Sequence, residues 1–432
     1  MKLKKKHFFQ LHSWIGTRLS ILFFIVCFSG TLATLSNEMD WLFFPEIRAK
    51  PQTELINKNV IVENVREKYP NGKIQYWDLT EESYLCDIIY VGIDGKRTYV
   101  FANPYTGEIQ GSTNLTFQRF FRDLHYYLFI PFQIGHFTVL IFGFLLLISL
   151  ITALYFYKKW WRKLFELQTG KGRLVLFRSL HRLVGLWSIP FTILFSITGI
   201  WYFVERTNIG GISDEVNPSS PELTYNAEKQ SQENISYTVD YARASAIAKK
   251  EIPGIKIGTL LPPTSLENPI YVTGKSDVPL VRKRANRVYL DPITYETVKV
   301  QKAEDISTAM WLNDIADPLH FGYWGGLITK FIWFIFGLGI SGLILTGIWI
   351  TLKRQAVKRK TKRKPVMGIW RYINWGIFIG FVAFMYTILI TRYHISSQAL
   401  ITITFGWLVF LFIAYYIFHY RLKKSIWSKE CK

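Results

Sequence analysis

Six stretches of the chain are long and apolar enough to cross a bilayer as helix, which takes roughly 20 residues. They fall at about 14–36, 131–157, 183–204, 325–352, 372–391 and 398–420. The segments between them carry shorter patterns. Residues 55–69 read as a helix, with Ile61 and Val65 on one face. Residues 84–93 and 97–102 read as strands joined at Asp94-Gly95, a hairpin signal, and Asn103-Pro104-Tyr105-Thr106-Gly107-Glu108 reads as a further turn. In the later polar segment, 238–251 reads as helix and 268–274 and 286–290 as strands, closed by Asp291-Pro292-Ile293-Thr294. The pattern predicts a membrane α-helical bundle of about six spans carrying two small α+β modules, at 37–130 and 205–324.

The formal net charge of +21 at first suggests a nucleic-acid partner. Its distribution excludes that reading. Half of the 52 Lys and Arg lie in four stretches, 1–12, 158–182, 353–371 and 421–432, where Glu166 and Glu430 are the only acids. Each stretch borders an apolar run, which is the positive-inside pattern of a protein whose partner is the lipid bilayer. The expected arrangement is therefore residues 1–36 as a cytoplasmic N-terminus and first span, 158–182 and 353–371 as cytoplasmic loops, 372–420 as the last two spans and 421–432 as a cytoplasmic tail. Both modules then lie outside the cytoplasm. The first span reads as an uncleaved signal anchor. Cys27, Cys86 and Cys431 form no CxxC or CxxCH motif and no disulfide framework.

A repeat runs through this arrangement. Leu11-His12-Ser13-Trp14-Ile15-Gly16 recurs as Leu180-His181-Arg182-Leu183-Val184-Gly185, and at the same offset Ser29-Gly30 meets Thr198-Gly199. Leu124-His125 precedes the second span and Leu319-His320 the fourth; Thr152 and Thr346 follow them at matching places. Each unit has two spans, so the two copies share one orientation. Such parallel repeats are related by an axis along the membrane normal. The symmetry predicts that His12 meets His181 near the cytoplasmic face and that His125 meets His320 near the outer face.

Ionisable residues beside membrane spans tend to be functional. Two facing imidazoles in an aromatic, apolar setting suit the axial positions of haem iron. Structural zinc wants four ligands, often thiolates, and a di-iron site wants Glu-x-x-His on core helices; neither pattern is present. Without CxxCH the haem is b-type and non-covalent, and two sites give two haems per chain. His136 follows His125 by 11 residues and is the alternative outer ligand, although its repeat counterpart is Phe331. His7, His394 and His419 have no counterpart and read as interfacial. Arg119 and Arg122 outside, and Arg178 and Arg182 inside, are candidates to hold haem propionates.

The motifs quoted above, with Tyr99-Val-Phe-Ala-Asn-Pro-Tyr-Thr-Gly-Glu108, Leu319-His320-Phe321-Gly322 and Leu345-Thr-Gly-Ile-Trp349, resemble the PepSY-associated transmembrane family of bacteria. That family includes iron-regulated membrane proteins and siderophore-iron reductases. The likeness covers about residues 5–355; the last two helices are an addition. The second module departs from the pattern, with Thr294-Tyr295-Glu296 where Thr-Gly-Glu is usual. The resemblance implies an inner-membrane protein with periplasmic PepSY-like modules that uses haem to reduce a ferric siderophore or other Fe(III) chelate. No GxGxxG fingerprint is present, so electrons would come from a quinol or a separate cytoplasmic donor. The alternative is a non-enzymatic PepSY-containing regulator or accessory of iron uptake.

Overall fold

The structure is a computed structural model that describes residues 4–224, 234–357 and 367–421. Cys431, residues 358–366 of the basic 353–371 loop and nearly all of the 421–432 tail lie outside the described residues. In chain order the helices are α1 (Lys5–Arg18), α2 (Ser20–Thr34), α3 (Ser36–Phe43), α4 (Lys58–Lys68), α5 (Phe117–Tyr127), α6 (Phe132–Phe156) and α7 (Arg173–Trp187). They continue as α8 (Ile189–Arg206), α9 (Ile212–Val216), α10 (Tyr241–Glu251), α11 (Thr308–Phe321), α12 (Gly326–Val357), α13 (Trp370–Thr391) and α14 (Ser397–Tyr415). The strands are β1 (Lys73–Asp78), β2 (Asp87–Ile93), β3 (Lys96–Ala102), β4 (Ile109–Thr113), β5 (Lys256–Leu261), β6 (Ile270–Lys275), β7 (Asn286–Leu290) and β8 (Thr297–Gln301). The chain forms two compact units. One comprises Met1–Leu35, Phe121–Phe203 and Leu327–Lys432; the other comprises Ser36–Phe120 and Val204–Gly326.

The first unit is the membrane unit. Among the described residues four helices are individually long and apolar enough to cross a membrane, and up to six spans result if each of two bent helix pairs counts as one. The bends correct the sequence expectation of unbroken spans at 14–36 and 183–204. Helices α1 and α2 meet at 74°, and α7 and α8 at 60°. The breaks fall at Leu19 and Ser188, at the same 169-residue offset as the sequence repeat. Pro190 accounts for the second, because its ring cannot follow the preceding turn and it has no N–H. At the first, the Arg18 carbonyl accepts a hydrogen bond from Asn374 Nδ2 at 2.8 Å. A backbone group released in lipid must be satisfied in this way. Helix α13 therefore stabilises the bend.

The second unit brings the strands of both polar segments into one sheet. Its strands form one eight-stranded antiparallel sheet in the order β4-β3-β2-β1-β5-β6-β7-β8. The halves join where β1 pairs with β5 (Trp77 with Leu260, Asp78 with Thr259). Lys283 closes the seam: its Nζ donates to Asp78 Oδ1 at 3.0 Å and to the Leu79 and Gly258 carbonyls. Helices α4 and α10 pack together over one face. Ile61, Val62 and Val65 of α4 and Ala244 and Ala248 of α10 share a single core with Trp77, Ile89, Val100, Leu260, Val272 and Val288. The alternation of buried residues along β2 explains why that strand was legible in sequence.

The turn at Tyr295, where the second module departs from the Thr-Gly-Glu pattern, forms as its counterpart does. Asn103 Oδ1 accepts from the Tyr105 and Thr106 N–H groups, and Asp291 Oδ1 accepts from Ile293 and Thr294 in the same way. Tyr295 (φ 62) occupies the left-handed position that Gly107 (φ 77) takes in the first half. Its side chain offsets the strain of that conformation: the phenol oxygen accepts from Asp240 N at 2.7 Å, and the Arg243 guanidinium lies 4.4 Å from the ring centroid.

Asp87 is buried in this sheet and accepts from Trp77 Nε1 at 2.9 Å and from Thr80 N at 3.0 Å. Burial pushes its carboxyl up to about 6 despite those bonds. A folded-state value above the unfolded one means that the folded protein holds the proton more tightly. The resulting stability is fully present below the unfolded value and is lost as pH rises through about 6. Thermal unfolding is expected to show the wild type more stable at pH 5 than at pH 7.5. Asp87→Asn should remove a share of that difference no larger than about 1.4 kcal/mol, because only about one pH unit of the shift lies above pH 5. An unaltered pH slope in the variant would refute the assignment.

Candidate functional site

The two bent helix pairs bring His12 and His181 together. Their ring centroids lie 6.4 Å apart and their planes stand at 87°. His12 sits on α1 seven residues before the bend, and His181 likewise on α7. Each ring is anchored through Nδ1: His12 Nδ1 donates to the Ser149 carbonyl at 2.9 Å, and His181 Nδ1 lies 2.9 Å from Thr346 Oγ1. The Thr346 hydroxyl already donates to the Gly342 and Leu343 carbonyls, so it accepts from His181. Thr152 makes the matching bonds to the Ile148 and Ser149 carbonyls. With Nδ1 as donor in both rings, Nε2 carries the lone pair in each neutral imidazole. Among the described residues neither Nε2 has a hydrogen-bond partner.

This donor set fits an axial pair. A metal–imidazole bond of about 2.0 Å, with roughly 1.1 Å from nitrogen to ring centroid, would put two imidazole centroids that share one metal ion about 6.2 Å apart, close to the 6.4 Å seen. The surroundings are apolar and aromatic. Phe156 packs edge-on to His12, Phe8 stacks on Tyr155, and Phe177 lies against Trp349. Gly347 leaves the His181 ring uncrowded, because a Cβ there would stand 3.4 Å from Cε1. Among the described residues no group of three or more His, Cys, Asp or Glu could hold a bare metal ion.

His125 and His136 also lie in the membrane unit. His125 Nδ1 donates to the Val26 carbonyl at 2.8 Å, and His136 Nδ1 to the Tyr126 carbonyl at 3.1 Å. Their Nε2 atoms therefore also carry the lone pair. His125 reaches α2 only because residue 30 is glycine: a Cβ at Gly30 would stand 2.7 Å from His125 Cε1. His136 is buried and stacks on Phe132 at 5.2 Å. His320 closes α11 in the other unit, with its ring 5.3 Å from Phe321.

Two carboxylates that sequence reasoning did not assign hold the His125 segment. Asp40 caps α5, accepting from Phe117 N at 2.6 Å and Gln118 N at 3.1 Å, and burial pushes its carboxyl up to about 7. Asp123, 1 % exposed, accepts from Tyr127 at 3.0 Å and also from Tyr393, which follows α13. Beyond it, Leu128 (φ 57) and Phe129 (φ 53) are buried in the left-handed region. The segment between His125 and His136 is thus held tightly against its own conformational preference.

The arginines divide. Arg182 donates to Tyr157 at 3.0 Å and to the Glu166 carbonyl at 2.7 Å, while its Nε is buried without a partner. Arg178 is exposed. Arg122 is exposed and lies over Tyr126 at 5.7 Å, and Arg119 stands in the first turn of α5 with its N–H bonded to Thr116 Oγ1.

The family described as the PepSY-associated TM region matches residues 9–354. The chain belongs to this family. The match takes in His12, His125, His136, His181 and His320, and it ends before α13. The α13–α14 hairpin that supplies Asn374 and Tyr393 is thus outside the matched region. No match is found among curated proteins.

Proposed function

We propose that this chain is a di-haem b electron-transfer protein of the bacterial inner membrane, reducing ferric siderophores or other Fe(III) chelates on the periplasmic side. Electrons come from a quinol or a cytoplasmic donor. The observation that carries this reading is the His12–His181 pair, with both Nδ1 atoms anchored, both Nε2 atoms unbonded and ring centroids 6.4 Å apart. Haem iron held there would supply one-electron chemistry inside the membrane. The residues hold and orient: Ser149 and Thr346 fix the ring tautomers, and the aromatic collar excludes water. Arg178, together with the unpartnered Nε of Arg182, offers charge for propionates. The outer centre rests on His125, with His320 or His136 completing it and Arg119 and Arg122 as its cationic neighbours. We take the two halves of the sheet to be PepSY-like modules fused at β1 and β5 in a tandem repeat, with both chain termini cytoplasmic.

Purified full-length protein should show a b-type absorption spectrum that sharpens on dithionite reduction. A pyridine haemochrome assay should give close to two haems per chain. Colourless protein from haem-replete cells would overturn the reading and favour a regulator. Reporter fusions at Lys96 and Lys275 should read as extracytoplasmic; a cytoplasmic signal at either would reverse the orientation.

A further inference from the structure

A second site lies on the C-terminal half of the sheet, and no histidine is among its lining residues. A cavity of about 390 Å³ opens there, lined by Pro262, Pro269, Tyr271, Arg284, Arg287 and Tyr289 among others. That volume is within the range of small-molecule sites. Tyr271 and Tyr289 are directly paired on β6 and β7, and their rings stack at 4.8 Å. Burial pushes the Tyr271 phenol upward, so it stays protonated at neutral pH and can donate.

The charges in this wall are unbalanced. Arg282 is held by Asp314 at 2.8 Å and Asp317 at 2.9 Å, and Arg284 shares Asp314 at 3.1 Å. Arg287 is only 5 % exposed, yet among the described residues no carboxylate comes within ion-pair distance of it. Its one protein hydrogen bond runs from Nε to the Arg284 carbonyl at 2.7 Å, which leaves both η nitrogens without a protein acceptor. Arg284 Nη2 is buried with no partner among the described residues. A buried guanidinium without an anion is strongly unfavourable. The fold holds this one at the edge of a cavity.

We propose that this cavity binds a small organic carboxylate, received by the Arg287 and Arg284 guanidiniums between the stacked tyrosines and the proline wall. A guanidinium fork matches a carboxylate through two parallel N–H···O bonds. The single uncompensated charge suits a carboxylate better than a doubly charged phosphate. The prolines suit an apolar body behind it. The proposal does not depend on haem at the histidines.

The test uses full-length protein in detergent, with benzoate and propionate as carboxylate probes, benzamide as the neutral analogue and inorganic phosphate as the competing anion. Either carboxylate should raise the unfolding temperature and give saturable heat by calorimetry, and benzamide should give neither. Arg287→Gln should weaken carboxylate binding about tenfold or more, the range for a charge-assisted pair. The same variant should unfold no earlier than wild type when no probe is present, because it removes an unpaired buried charge. Tyr271→Phe, which keeps the stack, should weaken binding by a smaller factor and so guards against a folding defect in the arginine variant. Equal binding of benzamide, preference for phosphate, unchanged affinity in Arg287→Gln or no binding of either carboxylate would each overturn the proposal.

Discussion

Replacing either His12 or His181 with Ala is expected to lower the haem content of the purified protein from about two per chain to about one, and both variants should lose the same component of the reduced spectrum. The reason is their shared geometry. Two imidazoles with centroids 6.4 Å apart would serve one metal ion between them, so neither half of the pair would be useful alone. The double variant should consequently look like either single one, since residues acting as a unit are not additive. Thr346→Val is a gentler probe. It removes the acceptor of His181 Nδ1 while leaving the ring in place. Loss of such a supporting bond typically costs about 10–100-fold in metal affinity. The variant should retain haem at saturation but release it faster to apomyoglobin. Two variants with full haem and unaltered spectra would show that this pair does not ligate, whatever the remaining histidines do.

The meeting of His12 and His181 was legible in sequence because it rests on a repeat: Leu-His recurs at one offset, and so do the helix breaks at Leu19 and Ser188. The breaks themselves were not legible. Pro190 is a local cause at Ser188, but at Leu19 the bend depends on Asn374, more than 350 residues away. No window of sequence carries that information. The fusion of the two modules was hidden for a related reason. Strand β1 has both edges paired, and its partner β5 belongs to the second half. Hairpins such as β2–β3 announce themselves through Asp94-Gly95, whereas a pairing across 180 residues leaves no turn to read. Strands β4 and β8 were missed because they are short edge strands with little buried alternation. The uncompensated Arg287 was invisible as well. In sequence it stands among Arg282, Lys283 and Arg284, and only the fold shows which of them have carboxylates.

Gly30→Val should perturb the outer centre and spare the inner one. A Cβ at position 30 would stand 2.7 Å from Cε1 and 2.8 Å from Nδ1 of His125, closer than real side chains approach. The His125 ring must then leave the Val26 carbonyl, its Nδ1 partner at 2.8 Å. Two neighbouring glycines supply the controls. Gly347→Ala places its Cβ 3.4 Å from His181 Cε1, a contact that a small shift accommodates, so the inner haem should persist. Gly199, the repeat counterpart of Gly30, faces Gly143 Cα at 3.5 Å and no imidazole. Gly199→Ala should therefore affect helix packing alone and leave both haems bound. If His125 serves the outer acceptor, dithionite-reduced Gly30→Val should also be reoxidised by a ferric hydroxamate at least about tenfold more slowly than wild type in stopped-flow measurements, a loss worth about 1.4 kcal/mol in the barrier. Companion variants of His136 and His320 decide which imidazole completes that centre: the one whose removal reproduces the Gly30→Val spectrum is the second ligand. Wild-type spectra and reoxidation in Gly30→Val would remove His125 from the electron path.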